Sequence, residues 1–259
     1  MLTSIRGITA ATIAFSTFAV AAPAMAQDTD PPSDIEVSGN VALVTDYRFR
    51  GVSLSAGDPA IQGGIDVTHS SGFYVGTWAS SIEGGSAYGE MELDIYGGWS
   101  GDVAEGVALD VGLLYYMYPT DGGDDGTGLI VDDYNVNYWE PYASITTTLG
   151  PAEATFGVAY AWDQASLGDE DNLYVYTDLG ASIPNTPISL SAHLGYTDGV
   201  LAPPLLAGTL DDTGFDYSIG ASATILGGLE IGVSYIGVDG PSIDGFTDDT
   251  VVATLAFSF

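Results

Sequence analysis

The 259-residue chain has no cysteine and no lysine, and its only cations are Arg6, Arg48 and Arg50. Without thiols there can be no disulfide framework, no cysteine-ligated metal and no thiol nucleophile. Three arginines stand against 35 acidic residues, a formal charge of −32, so nothing offsets repulsion from phosphates and nucleic acid is excluded as a partner. Phosphate-binding loops, dinucleotide fingerprints and zinc-ligand spacings are missing as well. No segment carries a convincing helical period.

What is present begins with a leader. MLTSIRGITAATIAFSTFAVAAPAMAQDTD holds one Arg, an apolar run broken only by Thr and Ser, and Ala24-Met25-Ala26 as an A-x-A cleavage site. Residues 1–26 therefore read as a signal peptide, with Gln27 as the first residue of an exported protein. The run is about 16 residues with no charged stop-transfer flank, which argues against an anchor. Removing Arg6 with the leader takes the formal charge from −32 to −33, because every acidic residue lies beyond it. Hydrophobic content of 46% alongside that charge excludes a disordered acidic tail and requires the two residue classes to occupy opposite faces.

The period of two shows how they separate. Val37, Gly39, Val41, Leu43, Thr45, Tyr47 and Phe49 alternate with Ser38, Asn40, Asp46, Arg48 and Arg50. The pattern returns where Met91, Leu93 and Ile95 alternate with Glu92 and Asp94, and again where Phe156, Val158, Tyr160 and Trp162 face away from Thr155 and Asp163. Such alternation predicts strands. Twelve are expected, near 36–50, 60–70, 72–82, 90–100, 106–118, 136–149, 152–163, 172–183, 187–197, 213–225, 228–238 and 249–259. Links after the second, sixth, eighth and tenth are short; those after the first, fifth, seventh, ninth and eleventh are long, polar and rich in Gly and Asp. An all-β, up-and-down antiparallel transmembrane barrel has this arrangement, with short periplasmic turns and longer external loops. A secreted sandwich also alternates. Strand lengths near the ~9–11 residues of a membrane crossing favour the barrel, as do aromatics gathered at strand ends. Residues 27–35 are then a short periplasmic segment and residues 36–259 an outer-membrane barrel.

The stretch SGNVALVTDYRFRGVSLSAGDPAIQGGIDVTHSSGFYVGTWAS, residues 38–80, resembles the TorF porin family. ELDIYGGWSGD, VGLLYYMYP, NYWEPYASI, LSAHLGYTDG and GGLEIGVSYIGVD continue the likeness over most of the chain. It implies an outer-membrane barrel with a channel role and no assigned solute. The terminal Phe259, with Phe257 before it, resembles the signature by which barrel-assembly machinery recognises its clients.

With the apolar parity facing lipid, Arg48 and Arg50 point into the lumen, because a cation on the lipid face costs about 2–4 kcal/mol at midplane. A first hairpin centred near Ser55 sets Arg48 across from Gln62, with Asp66 lower on the same face. Asp46, Glu90, Glu92, Asp94, Asp110, Glu140, Asp178, Asp216 and Glu230 are the acidic lumen candidates. Two arginines facing these carboxylates can form a selective transverse field at a constriction or an ion-pair network that holds the barrel's shape. Asp121, Asp124 and Asp125 in a long loop are weak Ca²⁺ candidates without EF-hand spacing, and a solvated acidic surface explains them equally. Three functions follow. The first is a cation-preferring channel for small solutes or ions, without a cofactor. The second is a barrel plugged by inward tyrosines (Tyr74, Tyr96, Tyr116, Tyr118, Tyr138, Tyr142) that recognises partners through its acidic loops. The remote third is a hydrolase built on His193 with Ser189 and Ser191.

Overall fold

A computed structural model describes residues 34–119 and 136–259. The barrel strands are β1 (Ile35–Val44), β4 (Ala60–His69), β5 (Phe73–Ser81), β6 (Met91–Ala104), β7 (Val107–Met117), β8 (Tyr138–Leu149), β9 (Ala152–Gln164), β10 (Glu170–Ser182), β11 (Ile188–Gly199), β12 (Thr213–Leu226), β13 (Leu229–Val238) and β14 (Thr250–Ser258). Two further strands, β2 (Arg48–Phe49) and β3 (Val52–Ser53), belong to a separate hairpin. Each barrel strand pairs antiparallel with its chain neighbours, and β1 pairs with both β4 and β14, which closes the sheet. Helical structure among the described residues is limited to single turns such as Pro203–Leu206.

The alternation read from the sequence fixes which way each strand faces. Val41, Leu43, Ile65, Ile95, Leu113, Val158, Leu194, Ile219 and Leu255 are exposed on the outer surface. Their in-register neighbours on the opposite parity line the interior, as with Asp94 beside Tyr116 and Asp66 beside Ser38. Tight turns at residues 70–72, 105–106, 150–151 and 227–228, with a five-residue link at 183–187, close one end. Both Ile35 and Phe259 lie there: Phe259 N–H donates to Gly39 O, and Gly39 N–H donates to Phe259 O, each at 3.0 Å.

Three details differ from the sequence reading. β1 stops at Val44 rather than running to residue 50, and β6 continues to Ala104 rather than ending near 100. The link after the seventh barrel strand is not long: only residues 165–169 separate β9 from β10, because both strands extend upward to meet it.

Inside the barrel, tyrosine rings lie across the neighbouring strand at glycines. Tyr176 pairs with Gly157, where a Cβ would sit 2.1 Å from the Tyr176 ring. Tyr142 covers Gly112 in the same way, with its ring 2.4 Å from where a Cβ would sit. The missing side chain lets a large ring lie flat on the wall and fill the interior without widening the barrel. Gly157→Ala should therefore lower stability by about 1–3 kcal/mol through overpacking, read as a lower temperature for the heat-modifiable gel shift. An unchanged transition would mean that Tyr176 is free to move aside.

Candidate functional site

β1 leaves the wall where Thr45 ends the ladder: its N–H donates to Ala253 O (3.0 Å) and its Oγ1 accepts from Ala253 N–H (2.9 Å). The chain then turns into the lumen rather than arching over the mouth. β2 and β3 pair across Arg50-Gly51, which have φ of 48° and 80°. Positive φ at both central positions is the type I′ hairpin. Gly51 is needed for a second reason, since a Cβ there would lie 2.3 Å from Val238 Cγ1 of β13. Arg50 takes a left-handed conformation that costs about 1–2 kcal/mol, and its contacts hold it there.

This strap crosses the interior and touches several walls. Tyr47 Oη donates to Glu92 Oε1 on β6 (2.9 Å). Phe49 packs edge-on against Tyr116 of β7, with ring centroids 5.7 Å apart. Arg50 Nη2 donates to both oxygens of Glu140 on β8 at 2.8 Å, and its guanidinium lies 4.2 Å over the Tyr174 ring of β10. Arg48 donates through Nε to Asp46 Oδ2 (2.5 Å), through Nη1 to Asp248 O (2.7 Å) and through Nη2 to Asp248 Oδ1 (3.0 Å). Asp46 also accepts from Ser53 Oγ and Ser55 Oγ (2.6 and 3.1 Å), which fastens the strap's own base. Arg48 and Arg50 are 4% and 8% exposed, so neither charge is solvated by bulk water.

Both arginines thus lie inside, but strand parity is not what puts them there. Tyr47 and Phe49, which lie on the parity expected to face lipid, face the interior with them, and Arg48 does not sit across from Gln62. Gln62 pairs instead with Ala42, and its Nε2 donates to Ser80 Oγ at 3.4 Å. Glu90 precedes β6 and is exposed rather than inward. Glu92 and Asp94 are buried on β6. Asp66 accepts from Tyr96 Oη and Asp110 from Tyr74 Oη, each at 2.6 Å, in a layer nearer the short-turn end. Glu230 is half-buried on β13. Asp121, Asp124 and Asp125 fall outside the described residues, as does the leader; Phe257 and Phe259 lie on the outer surface at the C-terminus.

A second polar group faces the strap from β10–β12. His193 places Nδ1 2.6 Å from Asp178 Oδ1 and Nε2 2.9 Å from Asp216 Oδ1, with Tyr174 Oη 2.8 Å from the same Nε2. A carboxylate at each ring nitrogen is satisfied on both sides only when both nitrogens donate. The imidazole therefore does not engage Ser189 or Ser191, the pair a hydrolase would need. Tyr174, Asp248 and the strap itself were not legible as site elements, although Gly directly after Arg50 was a turn signal.

Burial pushes the Asp248 carboxyl up, but the hydrogen bond and charge of Arg48 outweigh it and hold it below its ordinary value of 3.8. A depressed carboxylate contributes stability above the unfolded-state value and loses it as pH falls through the folded one. The Arg48–Asp248 ion pair is therefore intact at neutral pH and is lost on acidification below the ordinary carboxylate range, while the bonds of Arg48 to backbone carbonyls remain.

Arg50–Glu140 is the buried ion pair that ties the strap's tip to the far wall, with side chains 5% and 3% exposed. Glu140→Ala strands the guanidinium and should cost about 3–5 kcal/mol, whereas replacing both partners with apolar residues of similar size should cost far less. Urea titrations of the two variants, followed by heat-modifiable migration, measure the difference; equal losses would show that the pair is not what holds the strap.

A family model described as "Bacterial protein of unknown function (Gcw_chp)" matches residues 28–259. No curated protein matches the sequence. Among solved structures, the NanC porin superposes with a TM-score of 0.56 at 8% identity, covering 86% of this chain and 99% of that one. The KdgM porin, solved in complex with disordered oligogalacturonate, gives 0.53 at 6% identity over 86% and 97%. At such identities the likeness is one of fold.

Proposed function

We propose that this chain, which belongs to the Gcw_chp family of bacterial proteins of unknown function, is an outer-membrane channel for passive diffusion of small solutes or ions. Its twelve-stranded porin-like barrel, its apolar outer surface and the cleavable leader read in residues 1–26 support that location. The likeness of residues 38–80 to the TorF porins, and Phe259 as an assembly signal, belong to the same proposal.

The observation that carries the reading is the contrast between the two halves of the interior. Toward the short-turn end, Thr68, Thr146, Thr155, Ser189 and Ser191 are partly exposed, as lining of a wet vestibule would be. Toward the long-loop end, the strap narrows the passage and brings both arginines against carboxylates. Acids outnumber the two arginines throughout the interior, so small cations are concentrated and small anions repelled. The constriction is then the strap, and the solutes are small and polar.

One observation favours a second reading. Tyr47, Arg48, Tyr116, Tyr138 and Glu92 are all buried at the level of the strap, which suits a barrel plugged by its own side chains that works through its acidic loops. Current through the purified barrel in a planar bilayer decides between them. A channel gives steps whose reversal potential in a salt gradient reports cation preference, and clear anion preference or a tight, silent barrel overturns the proposal. Replacing Arg48 and Arg50 together with Gln should raise conductance and deepen cation preference while heat-modifiable migration persists. Unaltered current would remove the strap from the conducting path.

A further inference from the structure

The strap brings both signs of charge to the wall of one cavity. That cavity, about 40 Å³, lies between the hairpin and β10–β12, and Arg48, Arg50, Tyr174, Asp178, His193 and Asp216 line it. Its two faces differ in chemistry. On the strap side, Arg48 is saturated by Asp46, Asp248 and backbone carbonyls. Arg50 is not: Nη2 holds Glu140, while Nη1 is buried without a partner among the described residues. On the wall side are acceptors. Asp178 and Asp216 share a single imidazole, and the second oxygen of Asp216 is buried beside Gly195 on the wall with no partner among the described residues.

Buried guanidinium and carboxylate groups with unused hydrogen-bonding capacity are costly unless something complements them. A purely anionic solute would meet Asp178 and Asp216; a purely cationic one would meet Arg48 and Arg50. A solute bearing both charges a few bonds apart satisfies each face with its opposite. The room matches a small one, since about 40 Å³ holds roughly three water molecules, comparable to the smallest amino acids. Tyr174 stacks near His193, with centroids 6.4 Å apart, and carries Arg50 on its other contacts, so the two faces are held at a set separation.

We propose that this cavity is a binding subsite for a small zwitterion of amino-acid type, its carboxylate on Arg50 and its ammonium group on Asp178 and Asp216. The inference rests on the channel reading and names the class of solute the constriction recognises. Four probes separate the alternatives: glycine, acetate, methylammonium and glycerol, titrated calorimetrically against the full-length barrel folded in detergent micelles. Glycine should bind saturably, and acetate, methylammonium and glycerol should each bind weaker by about tenfold or more, the loss of one charge-assisted hydrogen bond. Arg50→Gln and Asp178→Asn should each weaken glycine by a similar factor, with the gel shift showing that the variants fold. Acetate binding as well as glycine would make this a simple anion site and overturn the assignment, as would no saturable glycine binding or an unaffected Arg50→Gln. Bilayer current measured in parallel keeps the two conclusions apart: glycine binding without current preserves the subsite and sinks the channel, and current without glycine binding does the reverse.

Discussion

Closure of the sheet is the constraint on which everything else in this protein depends. A strand crossing hydrocarbon cannot leave backbone N–H and C=O groups unpaired, and only a helix or a closed barrel satisfies them all. β1 meets that demand by pairing with β4 on one side and β14 on the other. The C-terminal residue adds two backbone hydrogen bonds to Gly39 at the seam. Once the cylinder is closed, every residue must face either outward or inward, and the sequence's period of two becomes a partition of chemistry. Apolar side chains take the outside, and nearly all buried charge is forced into the interior.

That partition creates a difficulty inside. Carboxylates on facing walls repel each other across a low-dielectric space, and a barrel of twelve strands gives them little room. Two devices relieve it. Tyrosines donate to the acids, as Tyr74 does to Asp110 and Tyr96 to Asp66, and they lie flat because glycines on adjacent strands leave space for the rings. The strap supplies the second device by carrying Arg48 and Arg50 into the middle of the acids. Arg50 and Arg48 act at different places: one ties the hairpin tip to Glu140 on the far wall, the other ties its base to Asp248 in the last loop. The hairpin is thus fixed at both ends by charge and along its length by Tyr47 and Phe49.

The same arrangement divides the interior into two unlike halves. The half of the interior near the tight turns is lined by hydroxyls, carboxylates and small residues that remain partly exposed; in the other half the side chains around the strap are buried. Opposed charge is therefore concentrated in one short zone, where a guanidinium on a hairpin faces a histidine held by two aspartates. A rigid, charge-bearing element inside a cylinder is an efficient way to place donors and acceptors opposite one another, because each is held by a separate part of the fold.

Strand type, number and sidedness were legible in the sequence because alternation is a local property: Leu93, Ile95, Glu92 and Asp94 declare their faces without reference to any partner. The acidity of the interior followed from the same pattern, since carboxylates on the inward parity have nowhere else to go. The path of residues 45–59 was not legible. TDYRFRG continues the alternation of β1 perfectly, and period alone extends the strand to Phe49 and turns that ring toward lipid. What ends β1 is tertiary: Thr45 closes against Ala253, Asp46 gathers Ser53 and Ser55, and Arg50-Gly51 makes a turn whose tip fits against Val238. The sequence by itself determined that both arginines would avoid the lipid face. Only the closed barrel decided that they would do so on a hairpin inside it, because Glu140, Asp248 and Tyr174 come within reach of residues 48–50 only after strands far apart in the chain have met.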